Sequence, residues 1–184
     1  WLLLSTTGDI KADTETGGKK FNLAAFADLV RLRTVRLILA MAIGVFFINH
    51  ALNNWLPEIL ITRGLDAVAA GYWASIPAIV GIVGALVVPR LSIPEHRLLV
   101  MATLFVATLL ASLMLQGTPG PVMFLGLILQ GIARGSMMTV AILILMEAPS
   151  VPKERLGLAG GLFFTVAEVG GVLGPLSFGI LSDF

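Results

Sequence analysis

From residue 37 onward, five long and almost uninterrupted apolar stretches alternate with short polar breaks. The stretches run roughly over 37–59, 67–88, 98–115, 121–146 and 156–182, with breaks at 60–66, 89–97, 116–120 and 147–155. Each reaches or approaches the ~20 residues a helix needs to cross a ~30 Å hydrocarbon core. No water satisfies backbone amides at that depth, so segments of this length are predicted to be helices. Loops this short predict antiparallel hairpins. Upstream, residues 5–20 are polar and turn-rich (Gly8, Asp9, Asp13, Glu15, Gly17, Gly18) and read as a linker. Asn22 can cap a short helix, with Phe21 and Phe26 at the two staple positions. Its apolar Leu23, Phe26, Leu29 and Val30 beside Arg31, Arg33 and Arg36 predict a helix lying at a membrane surface. The expected organisation is a linker with an interfacial amphipathic helix over 1–36 and a transmembrane bundle over 37–184.

Composition points the same way. The chain is 57% hydrophobic and 12% charged, with a mean hydropathy of +0.96. A soluble domain is about 25% charged, so polar surface is too scarce for a water-soluble fold. Trp1 opens the chain without a methionine or a basic signal-peptide region, and Phe184 closes it directly after an apolar segment. Both ends are read as cut, with Trp1–Leu4 as the end of a preceding span.

Soluble-enzyme chemistry finds little footing. There are no cysteines, and His50 and His96 are too few and too far apart for a metal cluster. Gly17-Gly18-Lys19-Lys20 lacks the first glycine and the Ser/Thr of a phosphate loop, and Asp9, Asp13 and Glu15 lack calcium-loop spacing. No catalytic residue, metal, cofactor or nucleic-acid partner is expected. The expected partners are a small-molecule solute and the lipid bilayer.

Lys and Arg set the orientation. Lys11, Lys19, Lys20, Arg31, Arg33, Arg36, Arg90, Arg97, Lys153 and Arg155 fall on one side and Arg63 alone on the other, so the ten-residue side, with linker 5–36, is expected to be cytoplasmic.

Polar groups inside the spans mark candidate chemistry. At 100° per residue, Phe46, His50, Asn53, Asn54 and Pro57 share one arc of about 100°, with Asn49 at its edge and Trp55 beside it. Such groups facing lipid are costly. They either hydrogen-bond neighbouring helices as packing glue or form a solvated, solute-binding face. Arg134 lies near the midpoint of the fourth span, one turn after Gln130, and Glu168 near the midpoint of the fifth. A charge there costs roughly 2.5–3.5 kcal/mol on insertion scales, and matching depth on consecutive spans invites pairing. The pair is either permanent or one that solute or protons break. The fifth span also concentrates glycine: Gly157/Gly161 and Gly170/Gly174 have close-approach spacing, with Gly171 beside them, and Pro175 permits a kink. Packing or a gating helix would each use them. The third span has only Thr103, Thr108 and Ser112 as polar residues and is expected to face lipid.

These features together resemble the C-terminal half of a major facilitator superfamily transporter. A basic loop leads into a span ending in Asn53-Asn54-Trp55-Leu56-Pro57-Glu58-Ile59-Leu60, then an Arg63-Gly64 turn. Gln130-Gly131-Ile132-Ala133-Arg134-Gly135 is similar to the second-half copy of the family's arginine-bearing fourth-helix motif. Gly170-Gly171-Val172-Leu173-Gly174-Pro175, followed by Gly179-Ile180-Leu181-Ser182-Asp183, resembles the eleventh-helix counterpart of its Gly-Pro motif. Pro89 to Arg97 keeps the basic residues of the family's cytoplasmic-loop motif but not its glycines. The stretch from the seventh to the ninth helix looks most like cyanate/nitroimidazole-type permeases. The resemblance implies that the five spans are helices seven to eleven, with the N-terminal half and the twelfth helix missing. It also implies that helices seven, eight, ten and eleven surround a cavity, and that two halves rock around a midplane site.

The expectation is therefore an all-α, partial helical bundle of a polytopic membrane protein, with five transmembrane helices of a six-helix half. It would be a fragment of a secondary transporter in the bacterial inner membrane, moving a small organic or anionic solute by alternating access. Asn49, His50, Asn53, Asn54, Trp55, Gln130 and Arg134 are the expected solute contacts, with Glu168 as a proton-titrating or pairing carboxylate. Gly170, Gly171, Gly174 and Pro175 would serve packing or gating. A non-transporting sensor or assembly module is the alternative, and a membrane-embedded enzyme comes third. Topology is testable by labelling: cysteines at Ser92 and Ser150 should react only from the cytoplasmic side, and cysteines at Asp66 or Thr118 only from outside. Labelling of positions 92 and 118 from the same side would remove the five-span arrangement.

Overall fold

A computed structural model describes residues 23–182, and these contain six helices and no strand. A short helix α1 (Leu23–Arg31) precedes α2 (Arg33–Thr62), α3 (Ala67–Leu91), α4 (Arg97–Met114), α5 (Pro121–Met146) and α6 (Leu156–Ser182). Single 3₁₀ turns at Pro94–His96 and Lys153–Arg155 lead into α4 and α6. With those turns included, five helices are long and apolar enough to cross a membrane, and this is a multi-pass membrane bundle. The expected Trp1–Leu4 stub, the linker and the Asn22 cap with Phe21 lie outside the described residues.

Local chemistry explains the boundaries. Extended backbone at Leu32 (φ −67°, ψ 121°) separates α1 from α2, yet its carbonyl accepts from Arg36 N at 3.0 Å, so the helix restarts at once. The first long helix thus begins at Arg33 rather than at 37. Arg33 and Arg36, expected on the interfacial helix, belong to its first turns. Gly64 ends α2 at φ +104°, a left-handed conformation that glycine enters without steric cost. Asp66 then caps α3, its Oδ1 accepting from Val68 N and Ala69 N at 2.9 Å each. Leu29 of α1 is buried in the main core, and Asp28 pairs with Arg155 at 3.5 Å. The short helix is therefore docked on the bundle.

Chain neighbours are mostly not the principal packing partners. α2 runs along α6 and α3 along α5, while α4–α5 is the one extensively packed hairpin of consecutive spans. α5 and α6 touch only slightly. Two crossings set this arrangement. A Cβ on Gly170 or Gly174 would collide with the carbonyl of Ile43 or Phe47, so α6 meets α2 backbone to backbone. A Cβ on Gly135 would likewise strike Gly81, and one on Gly131 would lie 2.7 Å from the Pro77 carbonyl, so α5 meets α3 in the same manner. The expected Gly157/Gly161 contact is absent, because a Cβ at either meets nothing within 4 Å. That pair has the spacing but no opposing helix among the described residues.

The main core gathers Ile38, Ala42, Val45 and Phe46 of α2 with Met137, Val140 and Leu145 of α5 and Phe163 of α6. α4 buries a single stripe, Met101, Leu104, Thr108 and Ala111, and leaves Leu98, Leu99, Leu109 and Leu113 exposed. The Thr103, Thr108 and Ser112 hydroxyls each donate to the carbonyl four residues back. Thr103 and Ser112 bond only within α4, whereas Thr108 is buried against α5, with its hydroxyl 4.0 Å from Met137 Sδ. α3 shows an equally apolar outer face at Ile79, Ile82, Val83 and Leu86, because its buried stripe is made largely of small residues.

Ser92 is buried at the end of α3, so Glu95, exposed in the same turn, is the accessible labelling position there. Gly135→Ala and Gly170→Ala should each destabilise the bundle by about 1–3 kcal/mol through overpacking. Gly161→Ala should stay within about 0.5 kcal/mol. Thermal melts of the detergent-purified protein would read the difference, and equal effects at all three sites would contradict the two crossings.

Candidate functional site

α2 turns three polar side chains toward α5, and the space between them is a cavity of about 410 Å³. Phe46, Asn49, His50 and Asn53 of α2 line it, with Arg134, Gly135, Met138 and Thr139 of α5 and Ala85 of α3. The close α3–α5 crossing places it: Gly135 packs against Gly81 and also borders the cavity, so the neighbouring Arg134 is held at its wall. Arg134 is half-buried, and its Nη1 donates to Asn53 Oδ1 at 2.9 Å. His50 stacks on Phe46 with ring centroids 5.5 Å apart and planes 20° from parallel. The result is a guanidinium beside a neutral amide, with an imidazole one turn away.

Four of the expected solute contacts meet here: Asn49, His50, Asn53 and Arg134. Three do not. Asn54 folds back to donate to the His50 carbonyl at 2.8 Å and borders a separate cavity of about 870 Å³ with Glu58, Thr62 and Ser182. One residue of helical rotation, 100°, turns it away from Asn53. Trp55 borders that second cavity too, and its Nε1 donates to the Pro175 carbonyl at 3.0 Å while its ring lies against Gly179. It thereby ties α2 to α6. Gln130 is buried with neither amide atom hydrogen-bonded, and it does not line the cavity. The glycines and proline of α6 serve that same α2–α6 seam.

The Arg134–Glu168 ion pair expected from matching depth is not formed. The ion pairs among the described residues are Arg97–Glu147 and Arg155–Asp28. Depth matches, but α6 packs on α2 rather than on α5, which places α2 between the two charges. Glu168 instead lies beside Gly171, with His50 on the facing helix. The Arg97–Glu147 bridge across the α4–α5 hairpin was missed by sequence reasoning. Its signal was present, since opposite charges stand at the open end of the one tightly packed hairpin.

Residues 1–175 match the family model described as Major Facilitator Superfamily. The chain belongs to the major facilitator superfamily. Among curated proteins, it is 29% identical over 160 residues to the probable galactarate/D-glucarate transporter GarP of Escherichia coli K12, covering 77% of this chain and 35% of the relative. It is 25% identical over 166 residues to the probable galactarate/D-glucarate transporter GudP of the same organism, covering 77% of this chain and 34% of the relative. The chain thus spans about a third of the length of these superfamily relatives. Neither is named as a cyanate or nitroimidazole permease.

The two asparagines now separate in expectation. Asn53→Leu in the full-length protein removes the partner of a half-buried guanidinium and should abolish uptake while leaving membrane insertion normal, since leucine favours insertion. Asn54→Leu, which removes only a bond within α2, should leave most uptake in place. Equal losses from the two changes would show that the cavity does not distinguish them.

Proposed function

We propose that this chain forms helices seven to eleven of a secondary transporter that moves a small organic anion across the bacterial plasma membrane by alternating access. It is not an enzyme, and the N-terminal half and the twelfth helix of the same protein complete the pathway. Linker 5–36 and the basic loops lie on the cytoplasmic side. The observation that carries the reading is Arg134: mid-span, half-buried, in a cavity that Asn49, His50 and Asn53 also line, and hydrogen-bonded to a neutral amide, with no carboxylate partner among the described residues. A charge held in a membrane interior is expensive unless a partner arrives. A guanidinium presents a planar fork that fits a carboxylate with two parallel hydrogen bonds. Asn53 holds that fork in place until a solute carboxylate displaces it. Asn49 and Asn53 then supply amide contacts suited to hydroxyl groups. The relatives named for galactarate and D-glucarate, both hydroxylated dicarboxylates, support a solute of this class.

The test is uptake of radiolabelled D-glucarate by the full-length protein in vesicles. Arg134→Lys keeps the charge but not the fork, and should raise the half-saturation concentration about tenfold, the equivalent of roughly 1.4 kcal/mol. Galactitol, which has the hydroxyls without the carboxylates, should not compete. Unchanged half-saturation in Arg134→Lys, or competition by galactitol, would contradict an anion site at Arg134.

A further inference from the structure

We infer that Thr139 is a specificity-determining residue of the cavity, whose hydroxyl pairs with a hydroxyl of the solute and so selects hydroxylated carboxylates over plain ones. Its role rests on the solute reading above, to which it adds the means of telling one carboxylate from another. A hydroxyl inside an apolar helix has a ready partner, the carbonyl one turn back. Thr103, Thr108 and Ser112 of α4, Ser136 of α5 and Thr165 of α6 all donate to the carbonyl four residues earlier. Thr139 stands one turn after Gly135, whose carbonyl could serve in the same way. Yet the Thr139 hydroxyl has no hydrogen-bond partner among the described residues. The residue lines the cavity, partly buried, beside Met138. A hydroxyl offers one donor and two acceptor sites, and those of Thr139 are left to a ligand.

Position gives that hydroxyl its use. Arg134 and Thr139 are five residues apart on α5, about 7.5 Å along the axis. The Arg134 side chain leans toward the start of its helix, away from Thr139. α2 and α5 are the first and fourth of alternating spans and so run in opposite directions. Because Asn53 bonds to Arg134, Asn49, one turn earlier on α2, falls toward the level of Thr139. The cavity thus has a charged end at Arg134 and Asn53 and a neutral polar end at Asn49 and Thr139, with Ala85 and Met138 as apolar wall. A carboxylate held at the charged end directs the carbons that follow it, and any hydroxyl they carry, toward Thr139. Where that hydroxyl is present, solute and threonine satisfy each other. Where it is absent, the Thr139 hydroxyl gives up water for nothing, and the analogue binds less well.

Equilibrium binding to the purified full-length protein tests this with two acids: D-glucarate, and adipate, which has the same carbon chain and both carboxylates but no hydroxyl. Wild type should prefer D-glucarate. Thr139→Val and Thr139→Ala should each raise the Kd for D-glucarate about five- to tenfold, the range of one lost hydrogen bond, while the Kd for adipate moves less than about twofold. Thr139→Ser, which keeps the hydroxyl, should restore the preference. Retained adipate binding also shows that a variant is folded, and where only one of the valine and alanine variants keeps it, that variant decides. A merely structural threonine would weaken both acids alike when removed, and that result would overturn the proposal, as would unchanged D-glucarate binding in the folded variants. Arg134→Lys keeps failure of this role distinct from failure of the anion site, because both acids carry carboxylates and should weaken together. Binding of neither acid, or of both undiminished in Arg134→Lys, would remove the anion site and this role with it. Joint weakening in Arg134→Lys, with wild type binding the two acids equally, would leave the anion site standing and end the role of Thr139 alone.

Discussion

The structure depends on two places where helices touch through their backbones. Between helices in lipid there is little hydrophobic drive, because the surrounding tails are as apolar as leucine. Close van der Waals contact must do the work, and only glycine lets backbones approach so far. Gly170 and Gly174 fasten α6 to α2, and Gly131 and Gly135 fasten α5 to α3. The groups that border the cavity and the α2–α6 crossing are positioned by these seams. Gly135 packs on Gly81 and thereby holds Arg134 at the cavity wall. Gly171 lies inside the other seam and holds apart the groups that border it.

Charge placement follows from that geometry rather than from depth alone. At the end of the α4–α5 hairpin, Arg97 and Glu147 form a direct bridge. In the interior, α2 stands between Arg134 and Glu168 and supplies a neutral or titratable neighbour to each: Asn53 to the guanidinium, His50 to the carboxylate. A buried ion pair would hold both charges fixed, whereas an amide is a weaker partner that a carboxylate can replace.

The seam between α2 and α6 also accounts for residues that would otherwise pass for solute contacts. Trp55 donates to the Pro175 carbonyl and lies on Gly179, which joins the two helices beyond the glycine crossing. The proline therefore sits in a helix braced on both sides of the position where its ring interrupts hydrogen bonding. The wall of the cavity and the structural tie are made by neighbouring residues on one turn of α2.

The number of spans and the superfamily were legible in the sequence, because hydropathy and motif are read along one segment at a time, whereas the start of α2 at Arg33 rather than 37 was not. Hydropathy and helical period state how long a helix is and which of its faces is polar. They put Phe46, His50, Asn53, Asn54 and Pro57 on one arc with Asn49 at its edge, of which Phe46, Asn49, His50 and Asn53 line one cavity and Asn54 does not, and they marked Arg134 and Glu168 as charges within spans. What they could not supply was the choice of partners. Whether Gly157/Gly161 or Gly170/Gly174 meets another helix, whether Asn54 joins Asn53 or turns back on its own helix, and whether Arg134 meets Glu168 or Asn53 all depend on how two surfaces fit. Consecutive spans of matching depth suggested an Arg134–Glu168 pair, yet the glycine seams set α2 between them. Periodicity belongs to a helix by itself, whereas contact belongs to a pair of helices, and only the tertiary structure contains the pairs.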